Sequence, residues 1–392
     1  LLFVIRLLAG RTGGAERVFC TLANALTAQG YQVTIAYCEG RKDPIAFRLS
    51  EGITVLNLWD PKKRALPRYS RFKRWSEKRL PFGLHHLFAW FTKYLPFVTS
   101  LRQLIHKTKP SLVISFLPSA NTPALLACLG TKTKLLCTNH GVPASDFDSK
   151  ERWDQNPVDR FLRRKLLFRA NGLTVLFPSY ISYFGKALSS RVHAIANFLD
   201  DSFFIRDASV KTQKQIIASG RLTWEKNFFV LVDAFAQVAT RNEDFELLIY
   251  GEGPERKNLE EQIAKLGLNA RVKLPGHEPN IIGRLREAYA FCHPAHFEGF
   301  GLSAAEALAQ GLPVVIFGDC SGVNEYVLHN VNGLFVERSE GAEGLAQALL
   351  QLIEDLPLRN RLSHAASASV LKFRADIILA QWQVVIESLA KD

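Results

Sequence analysis

Twelve short apolar runs, separated by stretches with helical spacing, constrain this chain more than any other feature of its sequence. The first half carries LLFVI, YQVTIAYC, ITVLNL, SLVISFL, TKLLCTNH and GLTVLFPS. The second carries KQIIASGRL, FELLIYGEG, ARVKLPG, YAFCHPA, LPVVIFG and GLFVE. Runs of Val, Ile and Leu without strict alternation are what strands buried on both faces look like. Such strands need helices on either side, and the intervening stretches supply them. GGAERVFCTLANALTAQG sets Val18, Leu22, Ala25 and Leu26 at helical spacing and ends at Gly30, a helix-stop residue. FFVLVDAFAQVAT and RKNLEEQIAKLG read as helices of the second half. Strand and helix in alternation predict α/β architecture with doubly wound parallel sheets.

At 392 residues the chain has room for two such domains. The expected division is 1–200, 201–375 and a closing amphipathic segment, 376–392, with packing back on the first domain as one option. The boundary falls in AIANFLDDSFFIRDASVK, where Asn197 reads as a hinge-shaping residue and not a catalytic one. Apolar residues make up 47% and charged residues 22%, which excludes a disordered chain. No run reaches the ~18 uninterrupted apolar residues that a membrane-spanning helix needs. The opening LLFVI, broken by Arg6, fits a first buried strand and not a signal peptide. Six scattered cysteines, with no CxxC and no metal-ligand spacing, read as reduced thiols of a cytosolic protein.

The net charge of +12 calls for an anionic partner or surface. Segment 61–109 breaks the alternation: PKKRALPRYSRFKRWSEKRLPFGLHHLFAWFTKYLPF is dense in Lys, Arg and aromatics, with Glu77 its only acid. One reading is a basic amphipathic segment at an anionic membrane surface, with Trp75, Phe82, Phe88, Trp90, Phe91, Tyr94 and Phe97 at headgroup depth. The other is a solvated basic face whose rings enter the domain core. The membrane reading is the one expected, and nucleic acid is not, because no binding motif accompanies the charge.

The stretch HFEGFGLSAAEALAQGLPVV concentrates the chemistry. SAAEALAQ is a good helix stopped by Gly311, so a helix is expected to start near Leu302 with its free N–H groups facing the GFG turn. Such an end suits phosphate. Glu306 then sits about one turn inside the helix and Glu298 just before the turn, where the two carboxylates can bracket one ligand. Taken alone, both also suit plain solvent-facing positions. In GRLTWEKN, Arg221 and Lys226 flank a turn at the carboxyl end of a strand, where open α/β sheets bind ligands. Two cations there can neutralise a diphosphate or simply face water.

GGAER, GRLTWEKN, YGEGPER and EGFGLSAAEALAQGLPVV, in this order, resemble glycosyltransferase family 4, retaining enzymes of the two-domain GT-B fold. The resemblance spans nearly the whole chain, and the glutamate pair with seven residues between is its most specific mark. It implies two Rossmann-like domains facing across a cleft, the first for acceptor and the second for a nucleotide sugar. It implies that Glu298 contacts the donor sugar, Glu306 the ribose, and Arg221 and Lys226 the diphosphate. Phe300, Gly301 and Leu302 would offer backbone donors, and Gly13 and Gly14 would close over the phosphates. His140, in TNHG, matches a histidine placed near the reacting sugar. Glu16 and Arg17 match the acceptor side, with packing or capping as an equal alternative.

The implied reaction moves a sugar from a nucleoside diphosphate sugar, by family frequency a UDP-sugar, to a hydroxyl with retention. No metal and no cofactor is expected. The acceptor expected is a polyprenyl-diphosphate-linked or other glycan at the inner face of the plasma membrane, in assembly of a surface polysaccharide. The rival readings are a GT-B epimerase or hydrolase and a non-catalytic membrane-associated scaffold.

Overall fold

The computed structural model describes residues 1–59, 82–149, 156–206 and 209–391. The chain divides into two units, Leu1–Ile195 with Leu379–Asp392, and Ala196–Ile378. The division thus lies after Ile195, just before Asn197, rather than at 200.

In the first unit the strands are β1 (Leu2–Ile5), β2 (Thr34–Tyr37), β3 (Thr54–Asn57), β4 (Leu112–Phe116), β5 (Lys134–Thr138), β6 (Gly172–Val175) and β7 (Val192–Ala194). They form one sheet in the order β3-β2-β1-β4-β5-β6-β7, every pair parallel. Six of these strands coincide with the apolar runs. The three-residue β7 has no such run behind it. Strand β4 is buried at all five positions, as a strand covered on both faces must be. Phe3, Phe19 of the first helix (Gly14–Ala28) and Phe116 form an aromatic cluster, with Phe19 edge-on to Phe116 at 5.0 Å.

The last helix runs Ala375–Lys391, and its residues from Leu379 onward group with this first unit. Trp382 is buried there, its ring stacked at 6.3 Å on Phe116. The methyl end of Leu389 lies against Gly172 of β6.

The basic segment is largely a long crossover helix, Phe82–Thr108, joining β3 to β4. Residues 61–81 lie outside the described part, Trp75 among them. Trp90, Tyr94 and Phe97 are buried, so the rings assigned above to a membrane surface belong in these three cases to the core. Their spacing of three to four residues puts them on one helical face. Helix Pro157–Leu166 packs on that face. Asp159 accepts from Trp90 Nε1 at 2.9 Å and pairs with Arg163 at 3.5 Å, both side chains fully buried. Arg163 also donates to the carbonyl of Asp146 and lies over the Phe147 ring.

In the second unit the strands are β8 (Gln215–Ser219), β9 (Glu246–Tyr250), β10 (Val272–Gly276), β11 (Ala290–His293), β12 (Val314–Phe317) and β13 (Gly333–Val336), in the order β10-β9-β8-β11-β12-β13. All are parallel and all coincide with apolar runs. Helices Phe228–Arg241 and Gly341–Glu354 pack on one another over the sheet, with Leu231, Val232, Phe235, Leu345 and Leu349 in the core. The sheet order turns round between β8 and β11. The chain leaves β8 toward β9 and returns to lay β11 on the other side. That is where a doubly wound sheet opens a crevice at its carboxyl edge.

Asp159 supplies a carboxylate to a fully buried guanidinium. Asp159→Ala is expected to lower the stability of the first unit by about 3–5 kcal/mol, read as a shift in the urea unfolding transition. Asp159→Ala combined with Arg163→Met should recover most of it.

Candidate functional site

The loops that follow β8 and β11 emerge side by side at that crevice. After β8 come Gly220 and Arg221, then a single 3-10 turn, Trp224–Lys226, and Asn227 in the left-handed region at φ 53°. Asn227 donates from its side chain to the carbonyl of Pro294 at 3.2 Å, and the N–H of His296 donates to the carbonyl of Glu225 at 2.9 Å. These two bonds fasten the β8 loop to the β11 loop.

The fastening brings Lys226 and Glu298, distant in sequence, into contact as an ion pair between Lys226 Nζ and Glu298 Oε1. The pair is mostly buried, with side chains 22% and 16% exposed. Burial pushes the Lys226 ammonium down to about 8, and the neighbouring charge of Arg221 pushes the same way. The charges of Cys320 and Glu225 work against both. Arg221 itself is exposed at the start of the loop. His293, at the end of β11, sets Nε2 3.3 Å from the same carboxylate oxygen. Desolvation, reinforced by the Lys226 charge, holds this imidazole well below its usual value and so neutral. A lone histidine closing an apolar strand gave no sequence signal for this position.

From Glu298 the chain turns through Gly299, Phe300 and Gly301 into helix Leu302–Ala309. Gly301 is the N-cap, at φ 77°, and a Cβ there would meet Val323 at 2.5 Å. The hydroxyl of buried Tyr326 lies 2.9 and 2.7 Å from the carbonyls of Phe300 and Gly301 and donates to this turn. The first bonds of the helix run from the N–H groups of Ala304 and Ala305 to the Gly301 carbonyl, so those of Leu302 and Ser303 precede its internal ladder. Glu298 Cγ lies 3.8 Å from the position a Gly301 Cβ would take, so its side chain runs along the helix start. Glu306, on the same helix, is 5% exposed, which removes the plain solvent-facing reading of that carboxylate.

Two glycines of YGEG make this arrangement sterically feasible. A Cβ on Gly251, at φ 135°, would stand 1.9 Å from the Gly220 carbonyl oxygen, and one on Gly253 2.2 Å from that of Leu222. The backbones knit there: Gly220 N–H donates to Tyr250, Leu222 N–H to Glu252, and Glu255 N–H back to Leu222. Arg338, after β13, clamps the far side. It binds Asp319 with both Nε and Nη2, donates to the carbonyls of Ala295 and His296, and lies over the Phe317 ring at 4.1 Å. Sequence reasoning missed Arg338 and Tyr326, because neither sits in a recognisable motif.

The second unit therefore brings Lys226 and Glu298 together at the turn Phe300–Gly301–Leu302, with Arg221 on the loop of Lys226 and Glu306 inside the helix that follows. The remaining candidates belong to the first unit and are described there. Gly13 caps helix Gly14–Ala28 with ordinary φ, accepting from the Arg17 N–H at 3.0 Å. Gly14 and Glu16 lie in the first turn of that helix. The preceding loop is held by buried Glu39, which accepts from the N–H groups of Leu8 and Ala9 and pairs with Arg11. His140 follows β5, its ring stacked on Phe116 at 4.7 Å.

Gly253→Ala is expected to force the β8 and β9 loops apart. The loss should be about 2–4 kcal/mol of second-unit stability, with the fluorescence of Trp224 reporting the displaced loop in equilibrium unfolding.

The family model described as Glycosyltransferase Family 4 matches residues 12–203, and that described as Glycosyl transferases group 1 matches 201–369. A Campylobacter jejuni protein named GalNAc-alpha-(1->4)-GalNAc-alpha-(1->3)-diNAcBac-PP-undecaprenol alpha-1,4-N-acetyl-D-galactosaminyltransferase is 25% identical, over 96% of this chain and 95% of its own. The amylovoran biosynthesis glycosyltransferase AmsD of Erwinia amylovora is 24% identical over 96% of each. The fold is that of HepE from Anabaena, solved with UDP: TM-score 0.72, 19% identity, 99% of both chains. Two parallel-sheet units, contiguous matches across nearly the whole chain and relatives alike from end to end place this protein among the glycosyltransferases of the family 4 type, hexosyl-transferring enzymes with the GT-B fold.

Proposed function

We propose that the protein transfers a glycosyl unit from a UDP-sugar, with retention, to a hydroxyl of a lipid-linked glycan at the cytoplasmic membrane face, without a metal ion. The observation that carries this reading is the Lys226–Glu298 ion pair beside the start of helix Leu302–Ala309, with exposed Arg221 on the same loop as Lys226. Two cations and a helix start suit a diphosphate. The relatives named above for undecaprenol-linked and polysaccharide products favour the lipid-linked or polysaccharide acceptor.

In this scheme the diphosphate settles against the helix start and draws the Lys226 ammonium to itself. Glu298, released from Lys226, accepts hydroxyls of the donor sugar, and Glu306 those of the ribose. The bond from the anomeric carbon to the phosphate oxygen breaks while the acceptor oxygen bonds to the same face. The acceptor proton passes to the departing phosphate. Arg221, Lys226 and the helix N–H groups stabilise the charge that grows on the leaving group, which is where electrostatic preorganisation contributes most. From the first unit, Gly13 and Gly14 are assigned to the phosphates, His140 to the reacting sugar, and Glu16 and Arg17 to the acceptor. Assay of a nucleotide-sugar panel with a polyprenyl-diphosphate-linked acceptor extract, chelator present, tests the whole reading. No transfer from any UDP-sugar, or transfer abolished by chelator and restored by a divalent ion, overturns it.

Glu306→Ala is expected to weaken UDP binding about 10- to 100-fold, for a lost buried hydrogen bond to a charged group. Arg221→Ala with Lys226→Ala should lower kcat by about 100- to 1,000-fold. Calorimetry and initial rates read the two effects, and wild-type values would remove these roles.

The depressed Lys226 ammonium fixes a pH dependence. Bound diphosphate favours the charged form, so binding takes up a proton near the free value of about 8. UDP affinity should therefore fall as pH rises through 8, and Lys226→Arg should flatten the profile. Folding shows the opposite trend. The folded value lies below the ordinary 10.5, so the cost of burying this charge shrinks as pH rises between the two.

A further inference from the structure

A polar ring closes strand β11, whose other residues are apolar. Ala290, Phe291 and Cys292 are buried, as a strand covered on both faces requires, and His293 is buried with them at 2% exposed. Phe291 and His293 share one face of the strand, their rings 6.4 Å apart and nearly parallel. An imidazole withdrawn this far from water is costly unless its nitrogens find partners. His293 Nε2 has no hydrogen-bond partner among the described residues. It stands 3.3 Å from Glu298 Oε1, the same oxygen that pairs with Lys226 Nζ.

What faces the ring decides which nitrogen carries its proton. Desolvation and the Lys226 charge keep the imidazole neutral, so it has one N–H and one lone pair. A lone pair on Nε2 would be repelled by the carboxylate oxygen in front of it, whereas an N–H there meets an acceptor. The proton therefore belongs on Nε2, and His293 presents Glu298 with a neutral donor that is unspent in the ion-paired state. Lys226 and His293 approach one oxygen, and a diphosphate acts on them differently. It draws an ammonium on a loop side chain toward itself. It exerts no such pull on a neutral ring at the end of a strand that is paired on both sides, with β8 and β12.

We propose that His293 is the positioning residue for Glu298 in the occupied site: its Nε2–H takes the place at Oε1 that Lys226 vacates and holds the carboxylate toward the donor sugar. The proposal rests on the donor-site reading above and deepens it. With Oε1 held by His293, Oε2 is left for a sugar hydroxyl. Without His293, a carboxylate that has lost its ammonium has no donor on the strand side and no fixed orientation. The effect depends on the sugar. Glu298 is 16% exposed, so with UDP alone water can satisfy the carboxylate whatever stands at position 293. A sugar displaces that water, and orientation then counts.

The test compares, by calorimetry on the full chain, the affinity for UDP with that for UDP-glucose, UDP-galactose, UDP-N-acetylglucosamine and UDP-N-acetylgalactosamine. The sugar nucleotide that wild type binds most tightly is carried through to the variants. His293→Leu keeps an apolar group at a buried strand position and removes the donor, and His293→Gln restores an N–H at nearly the reach of Nε2. His293→Leu is expected to bind UDP like wild type and the sugar nucleotide about tenfold more weakly, as for one lost hydrogen bond to a charged group. His293→Gln should recover most of that loss. Imidazole 15N spectra of free wild type, with the resonance assigned by its loss in His293→Leu, should show the ring protonated at Nε2. The proposal is overturned by a ring protonated at Nδ1, or by wild-type affinity of His293→Leu for the sugar nucleotide. It is also overturned if both variants weaken UDP and sugar nucleotide alike, which would make His293 a packing residue only. These three outcomes leave the donor reading standing. Wild type that binds none of the four sugar nucleotides sinks the donor reading, and the proposal with it.

Discussion

In a parallel sheet every strand delivers its carboxyl-end loop to the same edge, and everything functional in the second unit depends on what happens where the strand order reverses. Between β8 and β11 the two crossovers diverge, so no helix covers the edge, and two loops are left to meet each other. They meet through backbone and amide bonds, Asn227 to Pro294 and His296 to Glu225, before any charged group is involved. The Lys226–Glu298 contact is thus a consequence of sheet topology. It does not hold the loops together unaided, which leaves both charges available to exchange partners.

The cost of that arrangement is carried by the backbone. Bringing the β8 and β9 loops close enough to knit requires positions where no Cβ fits, and Gly251 and Gly253 supply them. Bringing the β11 loop into a helix start requires left-handed Gly301, with Tyr326 holding the turn carbonyls and so orienting the helix N–H groups. Arg338 stiffens the far wall through Asp319 and two carbonyls. Each of these residues acts on geometry, and none needs to touch a ligand for the site to depend on it.

Much of this was legible in advance, and the rest was hidden for identifiable reasons. Strands β8, β9 and β11 to β13 were readable because strands buried on both faces are mostly apolar, and edge strand β10 because Val272 and Leu274 still form a short apolar run. Strand β7 was not, since Val-His-Ala is three residues long with polar His193 in the middle. The glutamate pair and the two cations were readable from spacing and from their place after apolar runs. Their convergence follows only from strand order. Helix Phe82–Thr108 was obscured because it is apolar on two sides. Trp90, Tyr94 and Phe97 face the core, Leu84, Leu87, Phe91 and Leu95 face outward, and Pro96 lies inside, so no single 3.6-residue stripe stands out. His293, Tyr326 and Arg338 act through partners distant in sequence, which composition and periodicity do not register.

The resting state of the site bears on what it can bind. An ammonium and a carboxylate mostly withdrawn from water stabilise each other, and separating them leaves each one costly unless a new partner arrives. A diphosphate replaces the carboxylate for Lys226 but offers Glu298 nothing except like charge nearby. A diphosphate that carries a sugar supplies hydroxyl donors for Glu298 at the same moment. The ion pair thus makes the site less receptive to a bare anion than its positive charge alone would suggest, and its best occupant is one that presents phosphate and hydroxyl groups together. Neutral His293 beside the same carboxylate adds no second cation, so of these two only Lys226 holds Glu298 by charge, and an anion that drew Lys226 away would free it.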